Sequence, residues 1–379
     1  MSEFDTKKIT DRAGTGAPNF TYGVNIGGSD SGLIGKAYTA SGTEPSSPAN
    51  GDTWYDTAND KYYIYADGAF KQITHSNAAT LVDGGDRGLY MGGYGRTTGA
   101  VMNVIQYWSM ASTGNATDFG DLTIANRHHS ATSDGTRAFT MGGVPHSYKH
   151  IDAIVVATTG NATDHGDLIE NSAYGAGNCD GTIALAAASD RQASRSNSID
   201  RFTTSSASNA TDHGDLTVAR NYIGGNISNG TNGIFFGGMG SGSPQTTNVI
   251  DQVGIATAAN ATDFGDLNTT AYYGSGTSEN VRGLIHKGTN VYASVNELSY
   301  ITIGTAGNAT DFGDLSVVKY DTSMCANIAG RACISGGQLT GAPHSAEEIE
   351  YVDINTLGNA ADFGNLLDQT QSGDSASGT

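Results

Sequence analysis

Three mostly apolar columns recur along the chain at a long, regular interval. Ile105, Ile151, Ile199, Ile250, Leu298 and Ile349 form the first. Trp108, Ile154, Phe202, Val253, Ile301 and Val352 form the second, and Met110, Val156, Thr204, Ile255, Ile303 and Ile354 the third. The last two columns stand two residues apart, so they share one face of a strand. The first stands three from the second, and that break in phase predicts a bulge or a bend. Each of these β-type runs leads into a copy of one motif, Gly114-Asn115-Ala116-Thr117-Asp118-Phe119-Gly120-Asp121-Leu122. Asn161, Asn209, Asn260, Asn308 and Asn359 open the other copies, at steps of 46, 48, 51, 48 and 51 residues. That period is the length of a four-stranded propeller blade.

After each motif comes a polar stretch, a Gly-containing turn and a short apolar run. The run ends in a glycine pair at Gly92-Gly93, Gly142-Gly143, Gly237-Gly238 and Gly336-Gly337. Ala187-Ala188 and Lys287-Gly288 replace the pair in two units. No stretch has helical periodicity over a useful length, so each unit reads as three or four short antiparallel strands. The first unit lacks a motif ahead of it, and the last motif lacks a unit behind it. The last motif and its trailing strand can therefore close the array against the first unit, which removes two open edges. The expected fold is all-β: a six-bladed kelch-like β-propeller over 74–367, preceded by a small three-stranded β module over 46–73 and an extended arm over 1–45. The Ser/Gly/Asp-rich segment 368–379 reads as a flexible tail.

Composition agrees with an all-β repeat array: 37% apolar, 15% charged, 53 Gly and 6 Pro in 379 residues. The net charge of −19, much of it from the repeated Asp residues of the motif, sets the chain against nucleic-acid backbones. Cys179, Cys325 and Cys333 make no disulfide framework and read as free thiols, although Cys325 and Cys333 could face each other on a hairpin. No signal peptide and no apolar membrane span is visible.

The glycine pairs in units of this length resemble kelch-type propellers, without the kelch tyrosine and tryptophan together in any unit. The Gly-Asn-Ala-Thr-Asp-Phe-Gly-Asp-Leu repeat resembles repeat proteins encoded by marine bacteriophages, cyanophages among them. The module from Asn50-Gly51-Asp52-Thr53-Trp54-Tyr55-Asp56 to Gly68-Ala69-Phe70 is similar to a small β module of phage tail and fibre proteins. The leader Asp11-Arg12-Ala13-Gly14-Thr15-Gly16-Ala17-Pro18-Asn19-Phe20 is similar to the particle-anchoring start of such fibres. These resemblances imply a non-enzymatic virion structural protein, made in the host cytoplasm. The N-terminus would sit on other virion proteins, copies would form a homo-oligomer on the particle, and the propeller would be displayed toward a host-surface glycan or protein. A neck or capsid-decorating protein with no receptor, or a glycan depolymerase, is the alternative.

The motif Asn-Ala-Thr-Asp is also a glycosylation sequon, but local turn capping by Asn, Thr and Asp accounts for it better. The paired Asp residues lack any calcium-loop spacing. His165 and His213, where other units carry Phe, read as packing variants. His128-His129 suggests a metal but falls near the repeat-periodic Tyr174, Tyr222, Tyr273 and Tyr320, which read as contacts between blades. No metal, cofactor or catalytic group is expected. The segments that differ between units follow the glycine-pair strand, and variable loops on a rigid scaffold are where binding concentrates. They nominate Tyr94, Arg96, His146, Tyr148, Arg191, Arg195, Tyr292 and His344 as receptor contacts.

Overall fold

A computed structural model of the protein describes residues 38–58, 61–66, 68–72, 85–145, 149–187, 190–191, 194–241, 245–290, 293–341 and 344–378. The chain separates into two compact units, Met1–Ala78 and Ala79–Thr379. Strands are the only regular elements among the described residues.

In the first unit, Thr53–Asp56, Lys61–Ala66 and Ala69–Gln72 pair antiparallel, as the turn-punctuated sequence predicts. The sheet has a fourth strand, Tyr38–Ser41, which runs parallel to Thr53–Asp56. The three-stranded expectation is corrected on this point. Tyr38–Ser41 belongs to the segment read as an arm, and it carries too little alternation to announce a strand. Trp54 is buried here, stacked on Tyr63 at 4.8 Å and edge-on to Phe70 at 5.4 Å. Residues 1–37 of the expected arm lie outside the described residues.

Among the described residues, the second unit contains six four-stranded antiparallel sheets, two of them extended by short strands. Sheet 2 is representative: Ser130–Ser133, Arg137–Met141, His150–Val155 and Thr163–Asp167, from inner strand to outer. The inner strands of sheets 3 to 6 are Ala176–Cys179, Gly224–Ser228, Ser275–Ser278 and Ser323–Ala326. Sheet 1 takes its inner strand from the far end of the chain, where Asp374–Gly378 pairs with Arg87–Met91. Asp374–Gly378 also packs beside Ser130–Ser133 on one side and Ser323–Ala326 on the other, so the succession of neighbouring inner strands returns to its start. The expected flexible tail is thereby corrected, because 368–378 carries the end of one outer strand and this closing strand.

Every residue of the three sequence columns is buried. The phase break is a bulge, placed between Ile105 and Gln106 in sheet 1 and at the matching step in all six sheets. Phe119 is the extra residue opposite it, since Ile105 faces Gly120 and Gln106 faces Asp118. The bulge turns Phe119 and its counterparts His165, His213, Phe264, Phe312 and Phe363 into the core. His165 and His213 each set Nε2 against a backbone carbonyl, of Thr203 at 2.9 Å and Gly254 at 3.0 Å. They are packing variants of the Phe position.

The motif ties neighbouring sheets together. Asn161 Oδ1 accepts the Asp121 N–H at 3.0 Å, and Asn209, Asn260, Asn308 and Asn359 repeat the bond to Asp167, Asp215, Asp266 and Asp314. Asn115 closes the set on Asn365 N–H. The Asn therefore reaches across to the preceding repeat instead of capping its own turn. Gly265 shows why the motif needs glycine: its φ is +152°, and a Cβ there would stand 2.4 Å from the Gly307 carbonyl oxygen. A second latch lies deeper. Buried Asp152, Asp200, Asp251, Glu350 and Gln106 on the third strands accept the backbone N–H of the residue that follows the motif Leu of the preceding repeat, at Thr123, Ile169, Thr217, Ser316 and Leu367.

Candidate functional site: an axial aromatic pocket

The crossover from each outer strand to the next inner strand passes the centre of the ring of inner strands. Thirteen residues after each motif Asn stand His128, Tyr174, Tyr222, Tyr273, Asp321 and Ser372. All six have positive φ, between 50° and 63°. The backbone links them in sequence: Tyr174 N–H donates to the His128 carbonyl at 2.9 Å, Tyr273 to Tyr222 at 3.1 Å, Asp321 to Tyr273 at 3.3 Å, and His128 to Ser372 at 2.7 Å. The chain turns sharply here to enter the inner strand, and the next residue is Gly in three of the six units.

Together they line a cavity of about 70 Å³, with the backbones of Gly175, Gly224 and Gly274 and with Asn226 below. Asn226 Nδ2 reaches the carbonyls of Met324 and Ser375 at 3.5 and 3.4 Å, which ties three inner strands. The aromatic side is continuous. Ring centroids are 4.6 Å apart for His128 and Tyr174, 4.3 Å for Tyr174 and Tyr222, and 4.4 Å for Tyr222 and Tyr273, with planes tilted by 42° to 52°. Tyr320 extends it at 5.8 Å from Tyr273. The other side is polar. Ser372 Oγ donates to the Asp321 carboxylate, and His128 Nδ1 lies 3.7 Å from the same group. Burial lowers the His128 pKa, and Asp321 works against that shift. Burial, reinforced by Asp321, holds the Tyr273 phenol strongly protonated. His129 also lines the cavity; it is buried, and neither ring nitrogen has a hydrogen-bond partner.

The nominated loops border this pocket without lining it. Tyr94 pairs with Gln371, Val144 with Arg127, Met239 with Asn221, Thr289 with Tyr272 and Gln338 with Tyr320. Each partner immediately precedes an axial residue, so these loops share the face on which the pocket opens. Tyr94 lies under the Arg127 guanidinium at 5.5 Å, and Arg195 Nε meets Asn221 Oδ1 at 3.5 Å. Arg96 and His344 are exposed, and Arg191 sits in the short strand Asp190–Arg191. His146, Tyr148 and Tyr292 lie outside the described residues. Arg195 also edges a wider open groove with Glu170, Ser196 and Asp212.

The expected contacts between units are present, since the rings of His128, Tyr174, Tyr222 and Tyr273 touch in succession, but the fifth axial position is Asp321 and not Tyr320. The fixed spacing from the motif Asn is the signal that identifies the set. No group of three or more metal-ligating side chains gathers among the described residues. No protein-family model matches the chain, and a search of curated proteins returns no match either.

Proposed function

We propose that the six sheets are the blades of a closed kelch-like propeller, and that the protein is a non-enzymatic bacteriophage virion protein, a tail or other fibre or appendage protein. Made in the host cytoplasm, it attaches through its N-terminal arm to other virion proteins, as a homo-oligomer on the particle. The propeller recognises a glycan or protein of the host surface. The observation that carries the reading is the division of labour between faces: the connections that differ from repeat to repeat border the axial aromatic pocket, while the repeated motif is used for latching sheets. The phage assignment draws its support from the sequence resemblances. Several copies on one particle would bind by avidity.

The test is adsorption competition. Purified full-length protein is added to host cells before phage, and free phage are counted. Adsorption is expected to fall with dose, and no effect at saturating protein would defeat the receptor reading.

A second reading, a neck or capsid-decorating protein, draws on Ile124, Ile169, Val218, Val317 and Leu367. These are 40% to 54% exposed and lie between the motif and the axial residue in five repeats. A row of exposed apolar side chains suits a contact with a neighbouring virion protein. On this reading the purified protein would not compete for adsorption, and substituting these residues with Ser would release it from particles.

A further inference from the structure

We propose that the axial pocket binds a terminal, uncharged sugar residue, whose ring lies against the tyrosine cluster and whose hydroxyls meet Asp321, Ser372 and His128. This rests on the reading of the loop-bearing face as the recognition face, and it names the ligand class.

Backbone strain marks these side chains as used. The six axial residues all occupy the left-handed region, and none is glycine. That conformation is unfavourable for any L-residue with a Cβ, most for a bulky side chain such as tyrosine. The chain carries 53 glycines and places them at positive φ elsewhere, as at Gly237 and Gly238. Keeping a side chain at every axial position therefore indicates that the side chains serve a purpose.

Asymmetry points the same way. A plug that only closed the axis of a repeated array could use one residue type in each unit. Instead His128, Tyr174, Tyr222 and Tyr273 form an unbroken aromatic arc, and Asp321 and Ser372 fill the two remaining positions side by side. A π surface facing a cluster of hydrogen-bonding groups matches a sugar, which has an apolar C–H face and a rim of hydroxyls. The cavity of about 70 Å³ has room for a hydroxymethyl group or a few waters, with the sugar ring resting above it. His129, with both ring nitrogens unpartnered, adds polar capacity inside.

Charge narrows the ligand class. Asp321 and Asp374 line the pocket, and among the described residues no Lys or Arg does. Carboxylated, sulfated or phosphorylated ligands would meet repulsion with no counter-charge. A quaternary ammonium needs ring faces turned toward a common open centre. Here the rings pack on one another in sequence, 4.3 to 4.6 Å apart and tilted by 42° to 52°, so each turns part of its face to its neighbour.

The test is saturation-transfer NMR on the intact chain with galactose, glucose and N-acetylglucosamine, and with sialic acid and choline as charged counterparts. Transfer is expected to at least one neutral sugar and to neither charged probe. Asp321→Asn should weaken it about tenfold, the loss of one charge-assisted hydrogen bond, with an unchanged melting temperature. Should Asp321→Asn fold poorly, Ser372→Gly serves instead, since glycine adopts the required φ without strain, and a loss of transfer is again expected. Silence from all neutral sugars, transfer to sialic acid or choline, or transfer indifferent to a well-folded variant each overturns the proposal. Protein that competes for phage adsorption yet binds no sugar overturns the pocket and leaves host recognition standing. Protein that binds sugar through Asp321 yet does not compete overturns host recognition alone.

Discussion

The motif Asn is a single residue with a long-range job. Asn260 Oδ1 takes the Asp215 N–H at 3.1 Å across 45 residues of chain. The repetition of this Asn is plain in the sequence, but its partner is not. Asn caps local turns so often that the nearby reading prevails, and nothing in a repeat distinguishes a bond within a unit from one between units. Asn260→Ala should cost about 0.5–1.5 kcal/mol, the net worth of one hydrogen bond. Thermal melts would show it, and an unchanged midpoint would mean that water replaces the latch. Histidine supplies a second residue-scale prediction. Burial pulls His129 down to about 3 and His286 to about 4. Their folded pKa values lie below the unfolded 6.5, so the unfolded chain binds more protons between those limits. Stability from these groups is complete above about pH 6.5 and is lost as pH falls toward about 4, by about 1.4 kcal/mol per unit per group. His129→Leu, which removes two unpartnered nitrogens, should flatten the acid limb of a stability–pH curve by about one proton between about pH 6 and 4. A limb of the same slope would show that His129 does not titrate with unfolding.

At the scale of elements, the third strands were legible and the inner strands were not. The first two columns lie on the third strand and the third lies one residue past its end; all are buried, and the bulge is already present in the spacing of the first two. The inner strands read Ser-Ala-Thr-Ser, Ala-Gly-Asn-Cys, Ser-Gly-Thr-Ser and Asp-Ser-Ala-Ser-Gly. They crowd around an axis where neighbouring backbones approach closely: a Cβ on Gly177 would stand 2.5 Å from the Ala131 carbonyl oxygen. Small residues dominate, with Ile227 and Met324 the larger apolar exceptions, and small polar residues carry no period-two signal. This is why the closing strand reads as a tail in the sequence. Ser375 and Ser377 are fully buried, with Ser375 Oγ at 2.7 Å from Ser323 Oγ and Ser377 Oγ donating to the Ala326 carbonyl at 2.6 Å. A chain truncated after residue 371 would leave Arg87–Met91 with an unpaired edge and strip a neighbour from sheets 2 and 6. The expected outcome is aggregation or dimerisation by edge pairing, seen by size-exclusion chromatography. A truncated monomer with the original melting point would show the closure to be dispensable.

The whole molecule must put six nearly identical units in one order, and its buried charges bear on that. Eleven residues after each motif Asn stand Asn126, Ser172, Arg220, Ala271, Lys319 and Thr370, all buried. Across the interface in the next unit stand Asp152, Asp200, Asp251, Ser299, Glu350 and Gln106, also buried. A cation meets an acid in two of these pairs, Arg220–Asp251 at 3.0 Å and Lys319–Glu350 at 2.8 Å. The corresponding positions are neutral on both sides at Ala271 and Ser299 and at Thr370 and Gln106. In the unit where Ala271 stands in place of Arg220 or Lys319, Lys287 pairs instead with Glu297 at 2.6 Å. Exchanging neighbours would set the fully buried Arg220 against Ser299 and leave a guanidinium without a counter-charge. The pairs thus penalise wrong neighbours more than they strengthen the right ones, since desolvation offsets most of the attraction within a buried pair. Asp251→Ser alone should therefore cost about 3–5 kcal/mol by stranding Arg220. Arg220→Ala with Asp251→Ser, which copies the Ala271–Ser299 interface, should recover most of the loss. Denaturant melts of the two single variants and the double variant give the coupling directly. A double variant no more stable than Asp251→Ser would mean that the pair itself holds the interface, and that the order of the units is set elsewhere.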